Sequence, residues 1–113
     1  MTIHHVALIC SSEKSIEFYK RFGFEECFRK ERSYDTIVLM QGQGIKLEIF
    51  IDPSHPQRVT EPETLGLRHL ALKVDDLDKA RAAYECGEIL TDWIGERYCM
   101  TQDPDGQPIE LHE

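Results

Sequence analysis

A strand-like opening that begins with histidine occurs twice in this chain, as His5-Val-Ala-Leu-Ile-Cys10 and as His69-Leu-Ala-Leu-Lys-Val74. Each opening is followed by an amphipathic helical stretch and then by segments of period two. Each half also closes on a glutamate set among aliphatic residues: Glu48 follows His5 by 43 residues, and Glu110 follows His69 by 41. A 113-residue chain carrying such a repeat is constrained to two similar halves sharing one small domain.

The first helix is read over Ser12–Phe22, with a serine at its start and an apolar stripe of Ile16, Tyr19 and Phe22. The second is read over Asp75–Cys86, with aspartates at its start and Gly87 past its end. Strands are predicted near 25–30, 34–40 and 45–51 in the first half, with Gly42 and Gly44 turning into the last. In the second half they are predicted near 89–94, 97–102 and 108–112, with Asp103-Pro-Asp-Gly106 as a turn. The order is β-α-β-β-β twice, an α+β fold. Residues 1–51 form the first module and residues 66–113 the second. The segment 52–65, with Pro53, Pro56 and Pro62, reads as a linker.

The bulk properties exclude several classes. Hydrophobic content of 41% with 30% charged residues fits a globular chain, and no apolar run approaches the roughly 20 residues needed to cross a bilayer. The N-terminus lacks a basic segment followed by an apolar one, so a cytoplasmic location is expected. A net charge of −8 opposes nucleic-acid binding. The densest basic stretch, Arg29-Lys30-Glu31-Arg32, reads as a solvated strand face from which one arginine could meet an anionic substrate. Cys10, Cys27, Cys86 and Cys99 form no C-x-x-C pair and read as free, buried thiols.

Strand alternation sorts the remaining chemistry. Val6, Leu8 and Cys10 share one face of the first strand, and His5, Ala7 and Ile9 the other. Likewise Leu47, Ile49 and Ile51 oppose Lys46, Glu48 and Phe50, and Ile109 with Leu111 opposes Glu110 with His112. The aliphatic face suits the helices, which leaves each His and Glu on the opposite face. A lone strand His or Glu is usually solvated. The recurrence of the same pair in both halves is what singles out His5, Glu48, His69 and Glu110 as ligands of one divalent metal ion. Two imidazoles and two carboxylates suit zinc, nickel, manganese, cobalt or iron, with zinc or nickel favoured. His4 ranks below His5, His55 lies in the linker, and His112 is a secondary candidate as ligand or proton carrier.

The segments "IHHVALI", "SIEFYKRFGFE", "IKLEIF", "GLRHLALKVDDLDKA" and "DPDGQPIELHE" span nearly the whole chain, which thereby resembles the vicinal oxygen chelate superfamily. That superfamily includes glyoxalase I, extradiol dioxygenases, fosfomycin-resistance proteins, methylmalonyl-CoA epimerase and bleomycin-binding proteins. The resemblance implies paired βαβββ modules in a cup-shaped, partly open barrel around one metal, held at His5, Glu48, His69 and Glu110. Glutamate at position 48 resembles the glyoxalase I pattern rather than those of the dioxygenases or the epimerase. By that resemblance the reaction is proton transfer between adjacent carbons at a metal-chelated enediolate, with Glu110 the leading base and Glu48 next. The chain has Ile9 and Asp52 where glyoxalase I has the Arg and Asn of its glutathione site, so it is closer to short glyoxalase-like members. The expectation is a metal-dependent lyase or isomerase acting on a small oxygenated substrate, as a homodimer. The competing expectations are a non-catalytic small-molecule-binding module and a ring-cleaving dioxygenase.

Overall fold

The computed structural model describes residues Met1–Glu113, and the chain separates into two compact units, Met1–Gln57 and Arg58–Glu113. In the first unit the elements run β1 (Val6–Cys10), α1 (Lys14–Arg21), β2 (Glu25–Glu31), β3 (Thr36–Gly42) and β4 (Ile45–Ile51). In the second they run β5 (Leu70–Lys73), α2 (Leu77–Ala83), β6 (Leu90–Thr91), β7 (Arg97–Gln102) and β8 (Pro108–His112). Each unit is β-α-β-β-β, as the repeat in the sequence implies, and the fold is α+β. No helix is long and apolar enough to cross a membrane.

Each unit holds one mixed four-stranded sheet, ordered β1-β4-β3-β2 in the first and β5-β8-β7-β6 in the second. The first and last strands of each unit pair in parallel, and the remaining pairs are antiparallel. The aliphatic faces read from alternation are the buried ones. Leu8, Cys10, Val38, Met40, Leu47 and Ile49 form the first core together with Ile16, Tyr19, Phe22 and Phe24 from α1 and the turn after it. Leu77, Ala80, Cys99, Ile109 and Leu111 form the second, with α2 lying against β7 and β8. At about 25 cal/mol per Å² of apolar surface, burial of these side chains is the main term holding each unit together.

Local chemistry sets the ends of the elements. The Asp76 carboxylate accepts from the Lys79 backbone N–H and caps α2. At α1 the Ser12 hydroxyl accepts from the Lys14 N–H, and regular helix begins only at Lys14, two residues later than the sequence pattern predicts. The β3–β4 hairpin turns on Gln43 and Gly44, both at positive φ, the combination that matches strand twist in a two-residue turn. The Gln43 side chain donates to the Phe22 carbonyl at 2.7 Å. Gly42 allows the closest approach in this region, because a Cβ there would meet the Gly23 carbonyl oxygen at 2.5 Å.

Three expectations are corrected. The strand predicted over 89–94 ends at Thr91, because Asp92 makes a turn: its carboxylate accepts from the N–H groups of Ile94 and Glu96. The strand predicted from Tyr34 starts at Thr36, since Arg32 and Asp35 close the preceding turn through a backbone bond of 2.8 Å and a bidentate ion pair. Cys27 is exposed on β2 rather than buried, whereas Cys10 and Cys99 are buried and Cys86 is partly so. A bulge between Glu26 and Phe28 in the β2–β3 pairing falls at Cys27.

Candidate metal centre

Parallel pairing of first and last strands decides where the ionisable groups lie. In the first unit Ala7 is registered opposite Glu48, and in the second Ala71 is registered opposite Glu110. His5 and His69 each sit two residues before that alanine, on the same strand face. In both units the outcome is a His–Glu pair. His5 Nε2 lies 3.0 Å from Glu48 Oε2, and His69 Nε2 lies 3.3 Å from Glu110 Oε2. The second pair is the more enclosed, with side chains 25% and 14% exposed against 37% and 27% in the first.

These separations fit metal ligation. Donors held about 2.1 Å from one ion lie roughly 3.0–3.4 Å apart along the edge of an octahedral or tetrahedral shell. A neutral imidazole nitrogen and a carboxylate oxygen are both ordinary ligands for first-row divalent ions. Each unit therefore presents two donors with suitable chemistry and spacing.

The other histidines have separate roles. His4 is exposed ahead of β1, and its Nδ1 lies 2.8 Å from His5 Nδ1, so the two rings share one proton position. His55 is half-exposed and lies 3.4 Å from Asp52, whose carboxyl is held below its ordinary range mainly by hydrogen bonds from Ser54. His112, on the Glu110 face of β8, meets Asp92 at 3.1 Å and Glu96 at 3.4 Å. Sequence reasoning missed both carboxylates because it placed Asp92 inside a strand. The signal that could have found them is Asp92-Trp-Ile-Gly95-Glu96, an aspartate followed by glycine at turn spacing.

The basic stretch of β2 is compensated within the chain. Arg29 reaches both Glu13 and Glu26, and Arg32 engages Asp35 through two 2.6 Å bonds. The Arg32 guanidinium also lies 4.5 Å from the centre of the Tyr34 ring and 5.7 Å from that of Phe50, which shares the Glu48 face of β4. Both arginines already have carboxylate partners.

A profile of the Glyoxalase/Bleomycin resistance protein/Dioxygenase superfamily matches residues 2–111. The chain belongs to this superfamily. Two relatives match over nearly their whole length. YwkD of Bacillus subtilis is 43% identical, covering 99% of this chain and 96% of its own. YaeR of Escherichia coli is 38% identical, covering 98% and 95%. Among solved superfamily structures, the glyoxalase family protein from Enterococcus faecalis superposes with a TM-score of 0.91 at 34% identity, covering 99% and 97% of the two chains. A lactoylglutathione lyase, the fosfomycin-resistance protein FosX and a bleomycin-binding protein share the superfamily fold at 20%, 18% and 17% identity.

Proposed function

We propose that this chain is a metal-dependent lyase or isomerase of glyoxalase I type, acting on a small oxygenated substrate by proton transfer between adjacent carbons. His5, Glu48, His69 and Glu110 are the proposed ligands of one divalent ion, zinc or nickel first. The observation that carries this reading is the repetition of one His–Glu pair, in one strand register, in both units. Each pair alone is an ordinary His–carboxylate contact, and its recurrence through the same strand pairing in both units is what supports reading the four residues as a ligand set.

A divalent ion bound there supplies Lewis acidity toward substrate oxygens. The remaining work falls to the chain. Glu110, the less exposed of the two carboxylates, takes the proton from one carbon and returns it to the next, and Glu48 is the second base. His69 orients the Glu110 carboxylate through its 3.3 Å contact. Small Ala7 and Ala71 leave space beside the carboxylates. The absence of the glyoxalase I glutathione residues at Ile9 and Asp52 directs the reading away from glutathione adducts. We further read the protein as a cytoplasmic homodimer, which light scattering of the purified protein tests directly.

The test combines metal analysis with proton exchange. Protein purified without chelator is expected to carry stoichiometric divalent metal that is lost in His69→Ala. It is also expected to exchange the α-proton of a 2-hydroxycarbonyl substrate or of an epimerisable acid with D2O, read by NMR. Stoichiometric ligand binding without metal or exchange would replace this reading with the binding module. Catechol cleavage after anaerobic iron loading would replace it with the dioxygenase.

A further inference from the structure

The second unit contains more ligating groups than one His–Glu pair uses. Glu110 turns Oε2 toward His69 at 3.3 Å, while Oε1 lies 3.9 Å from His112 Nε2. The same Nε2 meets Asp92 Oδ2 at 3.1 Å and Glu96 Oε2 at 3.4 Å. Three carboxylates thus converge on one imidazole nitrogen, from the β6–β7 turn and from β8.

His112 Nδ1 lies 3.0 Å from the Glu113 carbonyl oxygen, which can only accept, so Nδ1 carries a proton. A proton on Nε2 is donated to Asp92 Oδ2, and a cation that displaces that proton meets the Nε2 lone pair and the same carboxylate oxygens. A carbonyl that holds the far nitrogen of an imidazole is the usual way a ligating histidine is oriented. Asp92 is fixed as well. Its Oδ1 accepts from the Ile94 and Glu96 N–H groups, which leaves Oδ2 to face His112.

A proton on His112 offsets one of the three carboxylate charges around this nitrogen. No lysine or arginine pairs with Asp92, Glu96 or Glu110. Elsewhere the chain's clustered carboxylates have a guanidinium: Glu13 and Glu26 share Arg29, Asp35 has Arg32, and Asp78 and Glu113 share Arg97. A proton on His112 leaves the three carboxylates with a net charge of about −2, whereas a dication beside the neutral ring leaves about −1.

We infer that Asp92, Glu96 and His112 form a second divalent-cation site, with Glu110 as the carboxylate between it and the His69 position. The three donor atoms lie within 4.8 Å of one another, the spread of one face of a coordination shell. One imidazole and two or three carboxylates suit zinc or manganese. A cation at this position fixes Glu110 Oε1 and leaves Oε2 for His69.

Equilibrium dialysis against Zn2+ alone, with metal counted by mass spectrometry, tests this. Glu96→Gln is the main variant, since that side chain is half-exposed and its loss leaves the core intact. Asp92→Asn is the second, because the amide oxygen still accepts the two turn N–H bonds. The expected result is two zinc ions per wild-type chain, with each variant weakening one of them by about tenfold or more. A zinc-induced shift of the His112 Nε2 resonance is expected, and it should be lost in both variants. Zinc binding unaltered in both variants, or no shift at His112, would overturn the inference. A single zinc lost in Glu96→Gln and kept in His69→Ala would support this second site and refute the four-ligand centre proposed above.

Discussion

Ala71 lies opposite Glu110 in the parallel β5–β8 pair, and the same relationship joins Ala7 to Glu48 across β1 and β4. A methyl group is the smallest side chain that still favours an extended backbone over a glycine, and it leaves the neighbouring carboxylate room to reach its histidine. Ala71→Leu is therefore expected to crowd Glu110 away from His69. Because Ala71 is exposed, the fold should tolerate the change. Calorimetric titration with Zn2+ should show affinity lowered by about tenfold or more, with the thermal midpoint nearly unchanged.

Replacing Glu110 by Gln removes the proton acceptor while keeping the shape of the side chain. Substrate proton exchange in D2O should fall by about 10²–10⁴-fold. Glu48→Gln should cost less if Glu48 is the second base. Equal losses would make the two carboxylates equivalent partners in the reaction.

The Arg32–Asp35 pair predicts the acid limb of stability. The Arg32 guanidinium holds the Asp35 carboxyl below its ordinary range. A carboxyl depressed in the folded state contributes stability that is fully present above its unfolded value, near pH 4, and is lost as pH falls through the lower folded value. Asp35→Asn should lower stability at neutral pH and flatten its decline below about pH 4. Denaturant midpoints measured between neutral and acidic pH check both.

Thiol labelling should separate the four cysteines. Burial, followed by the contact with Cys99, pushes the Cys86 thiol up to about 12, so it is almost wholly protonated at pH 8. Cys27 is exposed, and Cys10 and Cys99 are buried. Native protein should show one fast-reacting thiol, removed in Cys27→Ser, with Cys86 slower by about a hundredfold or more. All four should react in denaturant.

Much of the architecture was legible because strand alternation and helix stripes are driven by burial. Ile16, Tyr19 and Phe22, read as a helical stripe, are buried, as are Leu47, Ile49, Ile109 and Leu111, read as inward strand faces. The bounds of β4, β7 and β8 also follow from the sequence, because glycine or proline turns mark their starts. Turns built by side chains were not legible. Asp92 and the Arg32–Asp35 pair end or delay strands through hydrogen bonds that hydrophobic periodicity does not register. Within each half, the candidate pair was legible from spacing and face. The carboxylates around His112 were not, because one came from a turn hidden inside a predicted strand.

Because the first and last strands of each unit are neighbours in its sheet, neither His–Glu pair can exist until the last strand of that unit has been made. During synthesis on the ribosome the first pair becomes possible once Ile51 has left the exit tunnel, well before the strand that carries Glu110 can do so. Truncation after β3 would leave His5 without the strand that carries its carboxylate partner. Each half is thus closed by its final strand, and its chemistry arrives with the last few residues.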